Sequence, residues 1–235
     1  MNTLTPNTAY DFTPEALELV GSAKLTYLRK VYAYFGLGIV GAIVGTLLSM
    51  NTSLVFLVGA HPIIGFIALI GMVMFASKSS THPSRAVPTL VLFTFVSGII
   101  FSPTIYVIAN HYIPGAGPET IYDALFLTSL VFGALTAYVF VTKKDFSFMG
   151  ATLMIGLFVV IGASLVNLFI QSSSMSLALS VVIVILFSGF ILYDTSRILR
   201  NAHAIPPTLA ALNLYLDFLN LFMAILSLLT GGRRR

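Results

Sequence analysis

The chain has 235 residues, of which 57% are hydrophobic and only 9% are charged. A water-soluble domain carries roughly a quarter charged residues, so this composition excludes an ordinary soluble fold. Cysteine is absent, which excludes disulfide bonds, thiolate metal sites and a cysteine nucleophile. The net charge is +4, but the basic residues stand at the ends of apolar segments, so we do not expect nucleic acid as a partner.

The first 23 residues are polar and acidic, with Asp11, Glu15 and Glu18 ahead of Lys24. A signal peptide would place basic residues before a short apolar run, and this segment does not. Thr13-Pro14-Glu15 is instead typical of a helix start, with a capping threonine and a proline in the first turn. The sequence therefore predicts a cytoplasmic N-terminal segment at residues 1–23, with a short helix outside the membrane.

Apolar blocks of about 20 residues follow, the length that crosses the core of a bilayer. Short links rich in turn residues separate them, so we predict one transmembrane domain at residues 24–230 and a basic tail at 231–235. The fold class is an all-α membrane protein. The predicted spans are 31–50, 54–76, 86–109, 121–142, 149–170, 175–198 and 208–229.

Two features inside the spans predict local packing. Gly41 and Gly45 in the first span permit close approach of another helix. We favour ordinary packing within one chain over a dimer interface. His61-Pro62 lies within the second span, where proline lacks a backbone donor, so we predict a kink there.

The distribution of Lys and Arg predicts the topology. Loops around 51–53, 110–120 and 171–174 contain neither residue, whereas the alternate loops and their flanks contain several. Cytoplasmic loops are enriched in Lys and Arg, so the N-terminus is expected in the cytoplasm. The basic residues on that side are Lys24, Arg29, Lys30, Lys78, Arg85, Lys143, Lys144, Arg197 and Arg200.

The C-terminal tail conflicts with this topology. Seven crossings put the C-terminus outside, whereas Arg233-Arg234-Arg235 favours the cytoplasm. Either the last span does not fully cross, or the other loops outweigh the tail. We predict seven crossings, because the segment 208–229 is long enough to span the bilayer.

Of the eight acidic residues, six lie in the N-terminal segment, in loops or near span edges, and the exceptions are Asp194 and Asp217. An acid at membrane depth costs several kcal/mol unless it is paired or hydrated, so each is a functional candidate. The two spans form a hairpin turning near 201–207, and at 1.5 Å per residue the depths of the acids differ by roughly 5 Å. They can therefore face each other, and two close carboxyl groups in a low dielectric share one proton.

Other interpretations of the same region stay open. Asp194 can be a helix-end acid paired with Arg197, and Asp217 can be an acid hydrogen-bonded for packing. Lys78 ends the second span on the cytoplasmic side. It is either a latch that reaches the acids or, as we favour, a lysine extended along the lipid surface.

The asparagine and histidine residues give weaker evidence of a functional role. Asn167, Asn213 and Asn220 either line a polar path or bond between helices, and we favour bonds between helices. The histidines have no i, i+4 pair, so we expect no stable metal site. The four histidines are His61, His82, His111 and His203.

Four motifs carry a family resemblance. They are Val96-Ser-Gly98-Ile with Pro103, Lys143-Lys-Asp145-Phe-Ser147-Phe, Ile191-Leu-Tyr-Asp194, and Leu214-Tyr-Leu-Asp217-Phe-Leu-Asn220-Leu-Phe222. In this order and spacing, they resemble the Bax inhibitor 1 family, also called the transmembrane Bax inhibitor motif family. The likeness covers spans two to seven, and the length resembles the bacterial members.

The resemblance implies a seven-helix fold whose last helix is central and surrounded by the other six. It also implies a pH-sensitive calcium leak in the bacterial inner membrane, controlled by an aspartate pair that matches Asp194 and Asp217. Calcium and protons are then the partners, together with the lipid bilayer. Calcium would contact Asp194 and Asp217 only transiently, and no cofactor is expected. Lys78 stands where calcium-leak members have arginine, and an ammonium group lacks the planar fork of a guanidinium. Ser102-Pro103 replaces the family's usual Gly-Pro.

Another bacterial branch resembles a modulator of the membrane protease FtsH, which binds the protease instead of conducting ions. An acidic N-terminal segment is a candidate contact for FtsH, and this chain has one. Members of that branch need not keep both acids, whereas this chain does, so we rank the leak first.

An enzyme is the third alternative. Tyr193-Asp194 followed by Asp217 is similar to the acid pair of intramembrane aspartyl proteases. Those proteases have a Gly-x-Gly-Asp motif at the second acid, whereas Leu214-Tyr-Leu-Asp217 has no glycine. The last span also has no lysine, which a retinal protein needs. We therefore expect no catalytic residues and no enzymatic activity.

Overall fold

The structure is a computed structural model that describes residues 14–201 and 204–231, with side chains described from Gly21 onward. Helices account for all the regular elements in these ranges, and seven of them are long and apolar enough to cross a membrane. The predicted all-α fold with seven spans is confirmed. The helices are α1 Pro14–Met50, α2 Leu54–Ala60, α3 Pro62–Ser79, α4 Ala86–Ala109, α5 Pro118–Thr142, α6 Gly150–Ile170, α7 Ser173–Arg200 and α8 Pro207–Gly231.

The N-terminal region differs from its prediction. α1 is already helical at Pro14 and continues unbroken into the first span, a helix of 37 residues. No proline follows Pro14 within this stretch, so nothing interrupts the backbone hydrogen bonds. The short helix expected before residue 24 is therefore continuous with the first span. Residues 1–13 lie outside the described part of the chain.

The second span breaks where His61-Pro62 predicted a kink. α2 ends at Ala60 and α3 begins at Pro62, while His61 has φ −128° and ψ 58°. Proline suits the first position of a helix, because its missing N–H has no partner there. The predicted kink is confirmed and forms a full break.

Glycine makes the contact between α1 and α4 very close. A Cβ atom on Gly45 would overlap the carbonyl oxygen of Phe95, and one on Gly98 would overlap the carbonyl oxygen of Ala42. The Oγ1 of Thr46 donates a hydrogen bond of 3.1 Å to the carbonyl of Gly98. The glycine pattern of the first span therefore serves packing within the chain, as predicted.

α8 is the most buried span. Of its most apolar stretch, 61% is buried, against 11% for both α3 and α6. It packs against α1, α3, α4, α5 and α7, whereas α6 packs mainly against α7. Close packing around the last helix thus involves five of the six other spans, and a cavity separates α6 from α8.

Hydrogen bonds and close contacts fix α8 along its length. The hydroxyl groups of Tyr215 and Ser97 lie 2.5 Å apart, which joins α8 to α4. At its end, Gly231 lies against Leu177 near the start of α7. α8 therefore returns fully to the end of the bundle where α7 begins, as a complete seventh span requires. Arg233, Arg234 and Arg235 lie outside the described residues.

The two ends of the bundle differ in charge. We call the end with the α3–α4, α5–α6 and α7–α8 loops the basic end, because the Lys and Arg residues of those loops lie there. At the other end, the non-basic end, the described loops 51–53, 110–117 and 171–172 contain no Lys or Arg. The charge asymmetry predicted from the sequence thus coincides with two faces of one bundle.

Candidate functional site

Asp194 on α7 and Asp217 on α8 meet inside the bundle. Their side chains lie within hydrogen-bonding reach of each other. Only 7% of Asp194 and 3% of Asp217 is exposed. The hairpin of α7 and α8 therefore brings together the two acids that the sequence analysis placed at similar depth.

This contact depends on a proton. Two ionised carboxylates have only acceptor oxygens, so a hydrogen bond between them requires one proton on one of the acids. The Oδ2 atom of Asp217 has no hydrogen-bond donor among the described residues. A buried acceptor without a donor is costly, which is typical of a functional group and unusual for a purely structural one.

Asp194 has further partners on the side of the basic end. The Nη1 atom of Arg197 lies 3.7 Å from its Oδ1 atom, too far for a good hydrogen bond but close enough for an ion pair. The Arg197 guanidinium also stacks over the Tyr193 ring at 5.2 Å from the centroid. The side chain of Asn213 is within hydrogen-bonding reach of Asp194. Both interpretations of Asp194, the helix-end ion pair and the acid pair, are thus present together.

A cavity of about 750 Å³ adjoins the acid pair. Residues of α3, α6, α7 and α8 line it, and most of them are apolar, including Phe66, Leu157 and Phe187. We call it the acid cavity. Along α6 it extends from Gly150 to Leu168, roughly 27 Å at 1.5 Å per residue, which is most of the bilayer core. Its polar lining consists of Ser164, Tyr193, Asp194, Arg197, Asn213, Asp217 and Asn220.

α3 and α6 make no substantial contact with each other in the described structure. Exposed apolar side chains cover both helices, for example Ile67 on α3 and Phe158 on α6. The side of the acid cavity between these helices therefore faces the bilayer. Apart from Ser164 on α6, the polar residues of its lining lie on α7 and α8.

The remaining candidates occupy different places. Lys78 is exposed at the end of α3, does not line the acid cavity and forms no ion pair with a described residue. The basic residue beside the acids is Arg197 instead. The amide of Asn220 faces the cavity and donates a hydrogen bond of 2.7 Å to the carbonyl of Leu216 on its own helix.

The site offers oxygen ligands but no complete metal cage. Within the described residues, no group of three or more His, Cys, Asp and Glu side chains converges. Calcium takes six to eight oxygen ligands, whereas the cavity supplies two carboxyl groups and the amides of Asn213 and Asn220. Such a set suits a cation that keeps part of its water shell.

The α5–α6 loop is fastened to the half of α7 that lies toward the basic end. The amide of Ser147 donates to Asp145 Oδ1 at 2.9 Å, and the amide of Phe146 donates to Ser196 Oγ at 3.0 Å. Arg200 Nε lies 3.6 Å from Asp145 Oδ2. Hydrogen bonds from Ser147, with a smaller effect of Arg200, lower the pKa of Asp145. The loop motif therefore positions the helix that carries Asp194.

Sequence reasoning named Asn167 on α6, which bonds to Ser176 of α7, but missed that α6 lines the acid cavity. Ser164 and Asn167 are polar residues in the second half of this span, and their spacing of three residues puts them on one face. That pattern was the available signal. α6 carries no charged residue, so its sequence gave no reason to predict that it lies beside the acids of α7 and α8.

Comparison with known proteins identifies the family. The family described as "Inhibitor of apoptosis-promoting Bax1" matches residues 24–235. The chain belongs to the Bax inhibitor 1 family. The match includes every predicted span and the four motifs that carried the resemblance.

Relatives of this family member come from bacteria and from a virus. A membrane protein of Vibrio cholerae is 36% identical over 86% of this chain and 87% of its own length. The modulator of FtsH protease YccA of Escherichia coli is 33% identical over 73% of this chain and 76% of its own. A Golgi anti-apoptotic protein of vaccinia virus is 29% identical over 90% of this chain and 88% of its own.

Proposed function

We propose that the protein is a pH-sensitive calcium leak of the bacterial cytoplasmic membrane, with the N-terminus in the cytoplasm. The observation that carries this proposal is the contact between Asp194 and Asp217 beside the acid cavity. A buried acid pair in a cavity about as long as the bilayer core suits a cation path better than a packing role. The inner-membrane location follows that of the inner membrane protein YccA of Escherichia coli.

The acid pair supplies both the proton sensor and the cation ligand. When one proton is shared, the contact holds α7 against α8. When the proton leaves, two carboxylates repel each other and turn negative charge toward the cavity, where calcium finds oxygen ligands. Arg197, 3.7 Å from Asp194, offsets part of that charge at the basic end. The pH thus changes both the helix packing and the affinity of the path for cations.

Calcium flux tests the acid pair directly. The purified protein is reconstituted in liposomes with a trapped calcium dye, and entry is followed from about pH 5.5 to about pH 8. We expect a pH-dependent flux in the wild type and a flat pH profile in the Asp194→Asn, Asp217→Asn double variant, because an amide neither binds nor releases a proton in this range. The sensor role is wrong if the double variant keeps the wild-type profile.

Two exposed acids outside the cavity provide a matched control. Glu119 and Asp123 lie near the start of α5 and are exposed, and neither lines the acid cavity. A Glu119→Gln, Asp123→Asn variant loses the same formal charge as the double variant. It should keep the pH profile of the wild type, which separates loss of the pair from loss of negative charge in general.

A second function is favoured by one relative. The Escherichia coli protein is a modulator of FtsH protease, so an interaction with FtsH is the alternative for this chain. The same reconstitution decides between them. If no calcium flux above that of protein-free liposomes occurs at any pH, and FtsH co-purifies with the chain, the modulator function replaces the leak.

A further inference from the structure

A second cavity lies at the non-basic end, outside the acid site. It has a volume of about 610 Å³ and is formed by the last turns of α6, the first turns of α7 and the last turns of α8. Eight of its eleven lining residues are Ser, Thr, Asn or Gln, and none is charged. We call it the vestibule. Such a concentration of hydroxyl and amide groups is unusual in spans that are otherwise apolar, because each group needs a polar partner in lipid.

Hydrogen bonds between the three helices hold part of this polar lining in place. The amide of Asn167 on α6 donates to Ser176 Oγ on α7 at 2.8 Å. The hydroxyl of Ser180 on α7 donates to Ser227 Oγ on α8 at 2.8 Å. These bonds use only some of the polar atoms. The hydroxyl of Thr230 donates to the carbonyl of Leu226, and Asn167 Oδ1 accepts from the amide of Ser172. The side chains of Ser164 and Gln171 also line the cavity, where their polar atoms suit water or a hydrated cation.

The vestibule and the acid cavity adjoin. Two residues of α6, Ser164 and Leu168, line both cavities. On α8, Asp217 and Asn220 line the acid cavity, and Ser227 lines the vestibule. Spacings of three and seven residues put these three on one face of the helix. Polar groups therefore mark a single route along α8, from one cavity to the other.

The route is interrupted by apolar side chains. Between Asn220 and Ser227, no residue of α8 lines either cavity, and Ala224, halfway between them, is buried. On α6, the junction of the two cavities is lined by Ser164 and by the half-exposed Leu168, the only bulky apolar residue common to the two linings. A bulky apolar side chain at the junction hinders ions, because it offers no ligand in exchange for the water that a cation would have to shed.

We propose that the vestibule is the extracytoplasmic entrance for a hydrated divalent cation and that Leu168 closes the passage to the acid pair. This inference rests on the proposed leak and its topology. Charge supports the direction. The acid cavity ends at Arg197 toward the basic end, while the vestibule offers neutral oxygen ligands and leads toward the two carboxyl groups.

Thiol labelling tests the route without measuring flux. The chain has no cysteine, so single-cysteine variants need no altered background. Bacterial spheroplasts expressing Ser227→Cys, Asn220→Cys or Val166→Cys are treated with a charged, membrane-impermeant thiol reagent. We expect labelling of the Ser227→Cys variant and none of the Asn220→Cys variant. Val166 is an exposed α6 residue outside both cavities, so its cysteine faces lipid and stays unlabelled.

Shortening Leu168 should open the passage. Adding Leu168→Ala to Asn220→Cys should make that cysteine reactive from outside, and Leu168→Ala alone should raise calcium entry several-fold. Leu168→Trp should lower calcium entry, and Val166→Ala should leave it unchanged. The vestibule is refuted if the Ser227→Cys variant stays unlabelled. The barrier is refuted if the thiol reagent labels the Asn220→Cys variant equally whether position 168 is leucine or alanine.

The outcomes separate this inference from the proposed function. If labelling follows the expected pattern while no calcium flux occurs, the polar route stands and the calcium leak is wrong. If calcium flux is pH-dependent but Ser227→Cys is never labelled, the leak stands and cations enter elsewhere.

Discussion

The α1–α4 contact and the α6–α7–α8 region both contain glycine, but the first is tightly packed and the second contains cavities. Between α1 and α4, Gly45 and Gly98 allow the backbones to touch, and no space remains. On the other side of the bundle, a Cβ atom added to Gly162 of α6 would meet nothing within 4 Å beyond its own helix backbone, and two cavities separate α6 from α8. One side is tightly packed. The other leaves open space beside the acid pair.

The largest difference between these regions should appear when a methyl group is added to a glycine. Gly45→Ala forces Cβ into the carbonyl oxygen of Phe95, so we expect a loss of about 2 kcal/mol in stability, as is usual for overpacking. Thermal unfolding in detergent measures it as a lower melting temperature. Gly162→Ala is the matched control and should be neutral or raise stability by up to about 1 kcal/mol, since alanine favours helix. Equal changes in melting temperature for Gly45→Ala and Gly162→Ala would contradict the difference in packing between the two regions.

An intermediate effect is expected where α8 is attached to the tightly packed side. Tyr215→Phe removes the hydrogen bond to Ser97 and should cost about 1 kcal/mol. Combining it with Ser97→Ala should cost less than the sum of the single changes, as measured by a double-mutant cycle in thermal unfolding. Tyr122→Phe, at a tyrosine that is 69% exposed, is the control and should leave the melting temperature unchanged. Full additivity would show that the bond does not hold α8.

The smallest effect is expected in the α5–α6 loop, which fastens α7 on the cavity side. The lowered pKa of Asp145 means that its contribution to stability is present above the unfolded pKa of about 3.9 and is lost as pH falls through the folded pKa. Asp145→Asn should therefore lower the melting temperature slightly at neutral pH and not at strongly acidic pH. Asp123→Asn, at another exposed acid, should show no such difference between the two pH values. A pH-independent effect of Asp145→Asn would refute the electrostatic origin.

The site illustrates what could be predicted and what could not. Asp194 and Asp217 were evident from the sequence, because an acid in an apolar span is rare and costly, and helical rise fixes depth along a hairpin. Arg197 was predicted as a partner from its i+3 spacing. The role of α6 was not predictable, because a cavity is defined by helices that fail to touch, and no residue encodes the absence of a contact.

The sequence by itself determined the membrane location, the seven crossings, the break at His61-Pro62 and the two acids, since each follows from local composition, helical rise or the chemistry of one residue. Only the tertiary structure decided that α1 and α4 touch backbone to backbone and that α6 is separated from α8 by two cavities. It also placed Arg197 rather than Lys78 beside the acids. These features depend on how distant helices pack, and packing is a property of pairs of surfaces.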